Sequence, residues 1–177
     1  MKNALKYLLP IGIIGFIFYM LNKKKTENSD IKNNNNDIVD EIENPKQSYG
    51  TLGQKNNNPG NLRYNSANNW IGQVGENKGF VVFDTMNNGL RAMCKLLLNY
   101  YSLNKLNTIS KILNKYAPNS ENPTSNYINY VSNATGIKSD ETLSQDQLPV
   151  IINAMCVFES GIKFKQNSIN EIFYQLT

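Results

Sequence analysis

Leu148-Pro149-Val150-Ile151-Ile152-Asn153-Ala154-Met155-Cys156-Val157-Phe158-Glu159-Ser160-Gly161 is the stretch whose reading decides the fold. Pro149 suits the first turn of a helix, where its missing N–H removes nothing, and Gly161 suits the left-handed residue that ends one. Between them the side chains are apolar nearly all round. A helix without a polar face belongs in the interior of a domain. The stretch therefore predicts a central buried helix from about Leu148 to Glu159.

Shorter amphipathic helices surround it in sequence. Asp84 or Thr85 can cap a helix running to about Leu103, with Leu90, Met93, Leu97 and Tyr100/Tyr101 at helical spacing. Asn107/Thr108 can cap a second, with Ile109, Ile112, Leu113 and Tyr116 apolar, stopped near Pro118. Asn122-Pro123 reads as a cap and first-turn proline for a third, which carries Tyr127, Tyr130 and Val131 and ends near Gly136. Residues 162–177 add one more short helix. Trp70-Ile71-Gly72 and Gly79-Phe80-Val81-Val82-Phe83 read as one or two short strands joined by a turn at Gly75–Gly79. The fold class is mainly α with a small β element.

Asn56-Asn57-Asn58-Pro59-Gly60-Asn61-Leu62-Arg63-Tyr64 opens this folded part. Pro59-Gly60 suits a type II turn, with positive φ at the glycine. The flanking Asn side chains bond backbone groups readily and offer both donors and acceptors, so the loop can hold a polar ligand such as a sugar or simply make a surface turn. Of eighteen Lys+Arg only Arg63 and Arg91 are Arg, which marks both as positions where a planar five-donor fork serves and an ammonium does not.

Composition narrows the chemistry. There is no His, which removes Ser-His-Asp and Cys-His catalysis and the usual zinc sites. Cys94 and Cys156 lie in apolar runs and read as buried free thiols, with a single disulfide as the alternative; no metal-ligand spacing exists. From residue 50 onward nine Lys and two Arg face eight acids, a net +3 spread thinly, so nucleic acid is not an expected partner. Any proton chemistry falls to carboxylates. Glu159, at the mouth of the apolar helix, shares a stripe with Ile152, Met155 and Cys156. Partial desolvation and the negative end of the helix dipole both favour its neutral form. A carboxylic acid kept protonated near neutral pH is what glycoside cleavage requires. The other reading of Glu159 is an ordinary terminal helix residue facing solvent. No second acid is placed by spacing as a nucleophile, and neither a metal nor a cofactor is called for.

The N-terminal part is of another kind. Tyr7 to Leu21 is an uncharged apolar run with Lys6 before it and Lys23, Lys24 and Lys25 after it. It is about 22 Å long as a helix, and flanking Lys side chains extend such a segment by reaching outward. No small-x-small cleavage site follows, so residues 5–22 are expected to be a retained single-pass membrane anchor. Residues 23–49 are polar, mixed in charge and almost without aromatics, and read as a disordered tether. Residues 50–177 form the folded domain.

Residues 55–172 resemble a family of small virion-associated structural proteins of tailless, membrane-containing phages and prophages. The resemblance is carried by Asn56-Asn57-Asn58-Pro59-Gly60-Asn61-Leu62-Arg63, Trp70-x-Gly72, Gly79-Phe80-x-x-Phe83, Gly89-x-Arg91-Ala92, Thr108-Ile109, Ala117-Pro118 with Glu121-Asn122, Tyr127, and Glu159-x-Gly161. Where that family often has His before the final Glu, this chain has Phe158. Phe158-Glu159-Ser160-Gly161 is also similar to the Glu-Ser-Gly that ends the catalytic helix of lysozyme-like lytic transglycosylases and glucosaminidases. Residues Asn58 to Tyr101 resemble the loop, Trp, strand and helix that follow it in glucosaminidases, here in permuted order.

These resemblances imply a lysozyme-like helical domain that cleaves peptidoglycan glycan strands during entry or exit. Glu159 would be its general acid/base, and Asn58, Asn61, Arg63, Tyr64 and Trp70 its glycan-binding residues. The implied location is the virion internal membrane or the host cytoplasmic membrane, with the domain facing the cell wall. The partners would be glycan, lipid through residues 5–22, and other virion proteins. The alternatives are a non-catalytic minor virion protein that links membrane and capsid or binds glycan, and a tethered lysis protein.

Overall fold

The computed structural model describes residues 50–118 and 123–177. The expected anchor over 5–22 and tether over 23–49 lie outside the described residues, as do Glu121 and Asn122. Among the described residues no helix is long and apolar enough to cross a membrane.

The domain is mainly helical with one two-stranded sheet. In chain order come α1 (Leu52–Lys55), β1 (Gln73–Asn77), β2 (Phe80–Phe83), α2 (Met86–Ser102), α3 (Ile109–Tyr116), α4 (Thr124–Thr135), a 3-10 turn (Gln145–Gln147), α5 (Leu148–Ser160) and α6 (Gln166–Tyr174). Helix α5 is the hub. Its Leu148, Ile151, Ile152, Met155 and Cys156 have no exposed surface. It packs against α4, α6, α2 and the single turn α1. Helix α2 supplies Leu90, Met93, Cys94 and Leu97 to the same core, α3 supplies Ile109, Ile112 and Leu113, and α6 supplies Ile169 and Phe173. The hydrophobic effect explains the arrangement: a helix apolar all round loses water contact on every side only when surrounded. Cys94 and Cys156 are both free and buried.

The helix ends follow the local chemistry. Thr85 and Thr108 cap α2 and α3, each accepting from the backbone N–H three residues on. Gly136 and Gly161 close α4 and α5 in the left-handed conformation. Two features differ from the sequence-based expectation. The first strand begins at Gln73, so Trp70 and Ile71 precede it, and the two-residue turn is Lys78-Gly79, both with positive φ. Strand β1 reads Gln-Val-Gly-Glu-Asn and leaves Val74 exposed, so it lacks the apolar alternation that marks a half-buried strand. The turn at Pro59-Gly60 is also not type II. Its left-handed residues are Asn57 (φ 51°) and Asn61 (φ 50°), and Gly60 has no positive φ. Gly60 is needed for space: a Cβ there would lie 2.7 Å from Met93 Sδ.

The loop after α1 covers the free edge of β2. Phe83 N–H donates to Asn56 O at 2.9 Å, Val81 N–H to Leu62 O at 2.9 Å, and Tyr64 N–H to Gly79 O at 2.8 Å. Backbone groups that an edge strand would leave open are thereby satisfied.

Candidate functional site

The site grows from the contact between this loop and the C-terminal end of α5. The three consecutive Asn residues are spent on holding the loop. Asn56 Oδ1 accepts from Asn77 Nδ2 at 2.8 Å. Asn57 Nδ2 donates to Phe83 O and Asp84 O at 3.1 and 3.2 Å. Asn58 is fully buried: its Nδ2 donates to Leu62 O and Val81 O at 3.0 and 2.9 Å, and its Oδ1 accepts from Leu62 N–H at 2.8 Å. Asn58, expected among the ligand-facing residues, instead holds the loop to β2 from within.

Asn61 turns the other way. Its Nδ2 donates to the Glu159 backbone O at 2.9 Å and to Glu159 Oε2 at 3.2 Å. The two amide hydrogens match these two acceptors. Because a backbone carbonyl only accepts, the orientation of the Asn61 amide is fixed, and its Oδ1 is left buried and unpaired. Ser160 reinforces the joint. Its hydroxyl lies 2.9 Å from both Pro59 O and Cys156 O, and its backbone O accepts from Thr51 Oγ1 at 3.0 Å and Gln54 Nε2 at 3.2 Å. Gly53 makes the approach possible, since a Cβ there would stand 2.8 Å from both Asn58 O and Ser160 Cβ and 2.9 Å from Asn61 Oδ1. The loop rests equally closely on α2: a Cβ at Gly89 would come within 1.9 Å of Asn57 O.

The Glu159 carboxyl is thus enclosed on its inner side while the residue as a whole stays partly exposed. Its pKa is pushed up from 4.5 to about 7, chiefly by burial; the bond from Asn61, the nearby Tyr127 hydroxyl and the positive charge of Arg63 act in the opposite sense. Burial sets the direction because an ionised carboxylate loses more solvation than its neighbours restore. Tyr116 and Tyr127 are held protonated, their pKa values raised well above 10 by burial and by the nearby Glu159. Cys156, one turn back on α5, is likewise pushed up by burial. The Tyr116 hydroxyl donates to Gly60 O, which fixes α3 against the loop.

The remaining expected residues lie nearby on the loop and hairpin. Arg63 is exposed, with its guanidinium 5.3 Å from the centre of the Phe80 ring. Its bridge to Phe80 extends the pairing along β2, and its charge reaches Glu159. Tyr64 is exposed. Trp70 packs partly against the core, with its indole N–H buried and unpaired. Of the expected set, Asn61 touches Glu159, Arg63 acts on it through charge, and Asn58 holds the loop.

Two residues at the site were not read from the sequence as site residues, though Tyr127 is among those that carry the family resemblance. Tyr127 and Tyr116 come from α4 and α3, and helical spacing identifies them as inward-facing without saying what they face. The Phe158 ring stacks on Tyr127 at 3.9 Å and 12° and meets Tyr130 at 5.2 Å and 53°, so aromatic surface lies next to the carboxyl.

The arrangement unites an acid that titrates near neutrality, an amide that fixes one of its oxygens, an arginine and an aromatic group. Chemically it can deliver and recover a proton at one position. No family model matches the chain. Among curated proteins it is similar to Protein P5 of Pseudoalteromonas phage PM2, with 36% identity over 113 residues, covering 62% of this chain and 71% of that protein. The chain therefore belongs to the family of this phage protein.

Proposed function

We propose that this is a virion protein whose folded domain cleaves the glycan of the bacterial cell wall, with Glu159 as the general acid/base. The observation that carries the reading is the Asn61–Glu159 contact, which seats a carboxyl of pKa about 7 at the junction of the apolar helix and the polar loop. A general acid works best when its pKa lies near the working pH. The groups that modulate its charge are Asn61, Tyr127 and Arg63, none of them a carboxylate. One acid without a nucleophile suits non-hydrolytic transglycosylation. Glu159 would protonate the leaving glycosidic oxygen, and the N-acetylmuramoyl 6-hydroxyl would attack C1 and give its proton back to Glu159. Exposed Arg63 and Tyr64, with Trp70 beyond them, would hold the strand. The expected anchor at residues 5–22 would keep the domain at a virion or host membrane; carbonate extraction that left the full-length protein in the soluble fraction would remove that part.

The test is clearing of purified peptidoglycan by the full-length protein and its Glu159→Gln variant, with the products identified by mass spectrometry. Clearing by wild type alone, with anhydromuramoyl ends, is the expected result. No clearing by either protein rejects the enzyme, and equal clearing by both rejects Glu159 as its acid.

A second reading is a non-catalytic structural protein of the virion, with other virion proteins as partners. Kinship with a phage protein favours it. So does the way Asn61 binds the Glu159 backbone as well as its carboxyl, a joint useful for holding the domain together.

A further inference from the structure

We infer that Tyr127 is the positioning residue for the Glu159 proton: its hydroxyl donates to the carboxylate and accepts from the carboxylic acid, holding the group in place through a protonation cycle. The inference rests on the proposed acid/base role only for the use made of that proton. The pairing itself stands on the packing of α4 against α5.

Tyr127 is 3% exposed, and its hydroxyl is buried without an aligned hydrogen-bond partner. A buried hydroxyl left this way is costly and requires a reason. The acidic group that acts on it is Glu159, and each perturbs the other. The ring cannot swing away, because it is stacked on Phe158, the residue next to Glu159. The phenol stays protonated across the range in which Glu159 titrates. A hydroxyl can reverse its role, donating to an ionised partner and accepting from a neutral one, which an amide N–H cannot do.

Asn61 complements this. Its orientation is fixed by the Glu159 backbone O, so it offers Oε2 a donor in either state. The proton of the neutral acid is thereby directed to the other oxygen, Oε1. Among the described residues, the titratable and charged groups acting around the carboxyl are Arg63 from the loop, Tyr116 from α3, Tyr127 from α4 and Cys156 on α5 itself, with Cys94 of α2 behind Cys156. Tyr116 already donates to Gly60 O, and both thiols are held protonated by burial, Cys94 at about 12. Tyr127 is the member of this set whose hydroxyl is not committed elsewhere.

The experiment follows the Glu159 carboxyl by 13C NMR in full-length protein labelled at glutamate Cδ, the resonance being identified by its loss in Glu159→Gln. Tyr127→Phe keeps the stack on Phe158 and removes the donor, so the Glu159 pKa should rise by about one unit. Replacing Tyr127 by 3-fluorotyrosine keeps ring and hydroxyl but makes the hydroxyl a stronger donor, so the pKa should fall. Shifts of opposite sign establish the pairing. A resonance that moves in neither protein, or moves the same way in both, overturns it; should Tyr127→Phe fail to fold, the sign of the fluorotyrosine shift decides. No glycan is present, so the outcome is separate from whether the protein cleaves one.

Discussion

Asn61 and Glu159 are 98 residues apart in sequence, and one amide of the first bonds both the main chain and the carboxyl of the second. Asn61 also has a φ of 50°, a conformation that glycine accepts without strain. Asn61→Gly therefore deletes the two bonds while keeping the backbone. The bond from Asn61 lowers the Glu159 pKa, so its loss should raise that pKa above about 7. Stability should fall by about 1–2 kcal/mol. Carboxyl NMR titration and urea unfolding check the two effects.

Glu159 also makes the protein's stability depend on pH. Its folded pKa, about 7, exceeds the ordinary 4.5, so the folded chain holds the proton more tightly than the unfolded one. The favourable contribution is complete below about 4.5, declines as pH rises and is gone above about 7, a range on the order of 3 kcal/mol. Glu159→Gln stays neutral throughout. Its urea midpoint relative to wild type should climb from pH 5 to pH 8, and a constant difference would contradict this.

Gly89→Ala sets two effects against each other. Helix propensity alone favours alanine in α2 by about 1 kcal/mol. The new Cβ, however, would lie 1.9 Å from Asn57 O and 2.9 Å from Pro59 Cδ, so the loop must shift. Overpacking of this kind costs about 1–3 kcal/mol, and the net expectation is a lower melting temperature. A higher one would show that the loop yields freely.

Met155→Asp places a charge in the middle of α5, at a position with no exposed surface. The loss should be about 4 kcal/mol or more, enough to abolish cooperative unfolding in a domain of ordinary stability. Circular dichroism during heating measures it.

The helical part of the fold was legible because its signals are local. Thr85, Thr108, Gly136, Gly161 and the apolar run from Leu148 act within a few residues of themselves, and the structure places the corresponding helix ends there. Strand β1 was not legible, since its pairing with β2 depends on the turn at Lys78-Gly79 and its own side chains carry no alternation. At the site, Glu159 stood out because a carboxyl following an apolar run is conspicuous. The division of labour among the Asn residues did not. Asn58 and Asn61 are three positions apart in the same loop, and only the folded path of the chain sends one into β2 and the other to α5. Tyr127 was visible as a helix-face residue and among the residues that carry the family resemblance, but its place against Phe158, the neighbour of Glu159, is fixed by the packing of α4 on α5.

The clamp on Ser160 has a mechanical consequence. Thr51 and Gln54 both donate to the Ser160 backbone O, and Thr51 stands one residue after Gly50. Tension arriving along the chain from before Gly50 is therefore handed at once to the end of α5, at the residue beside the acid. It reaches that point without first crossing the hairpin or α2. A pull on Thr51 from its N-terminal side therefore bears directly on the last residue of α5, the neighbour of Glu159.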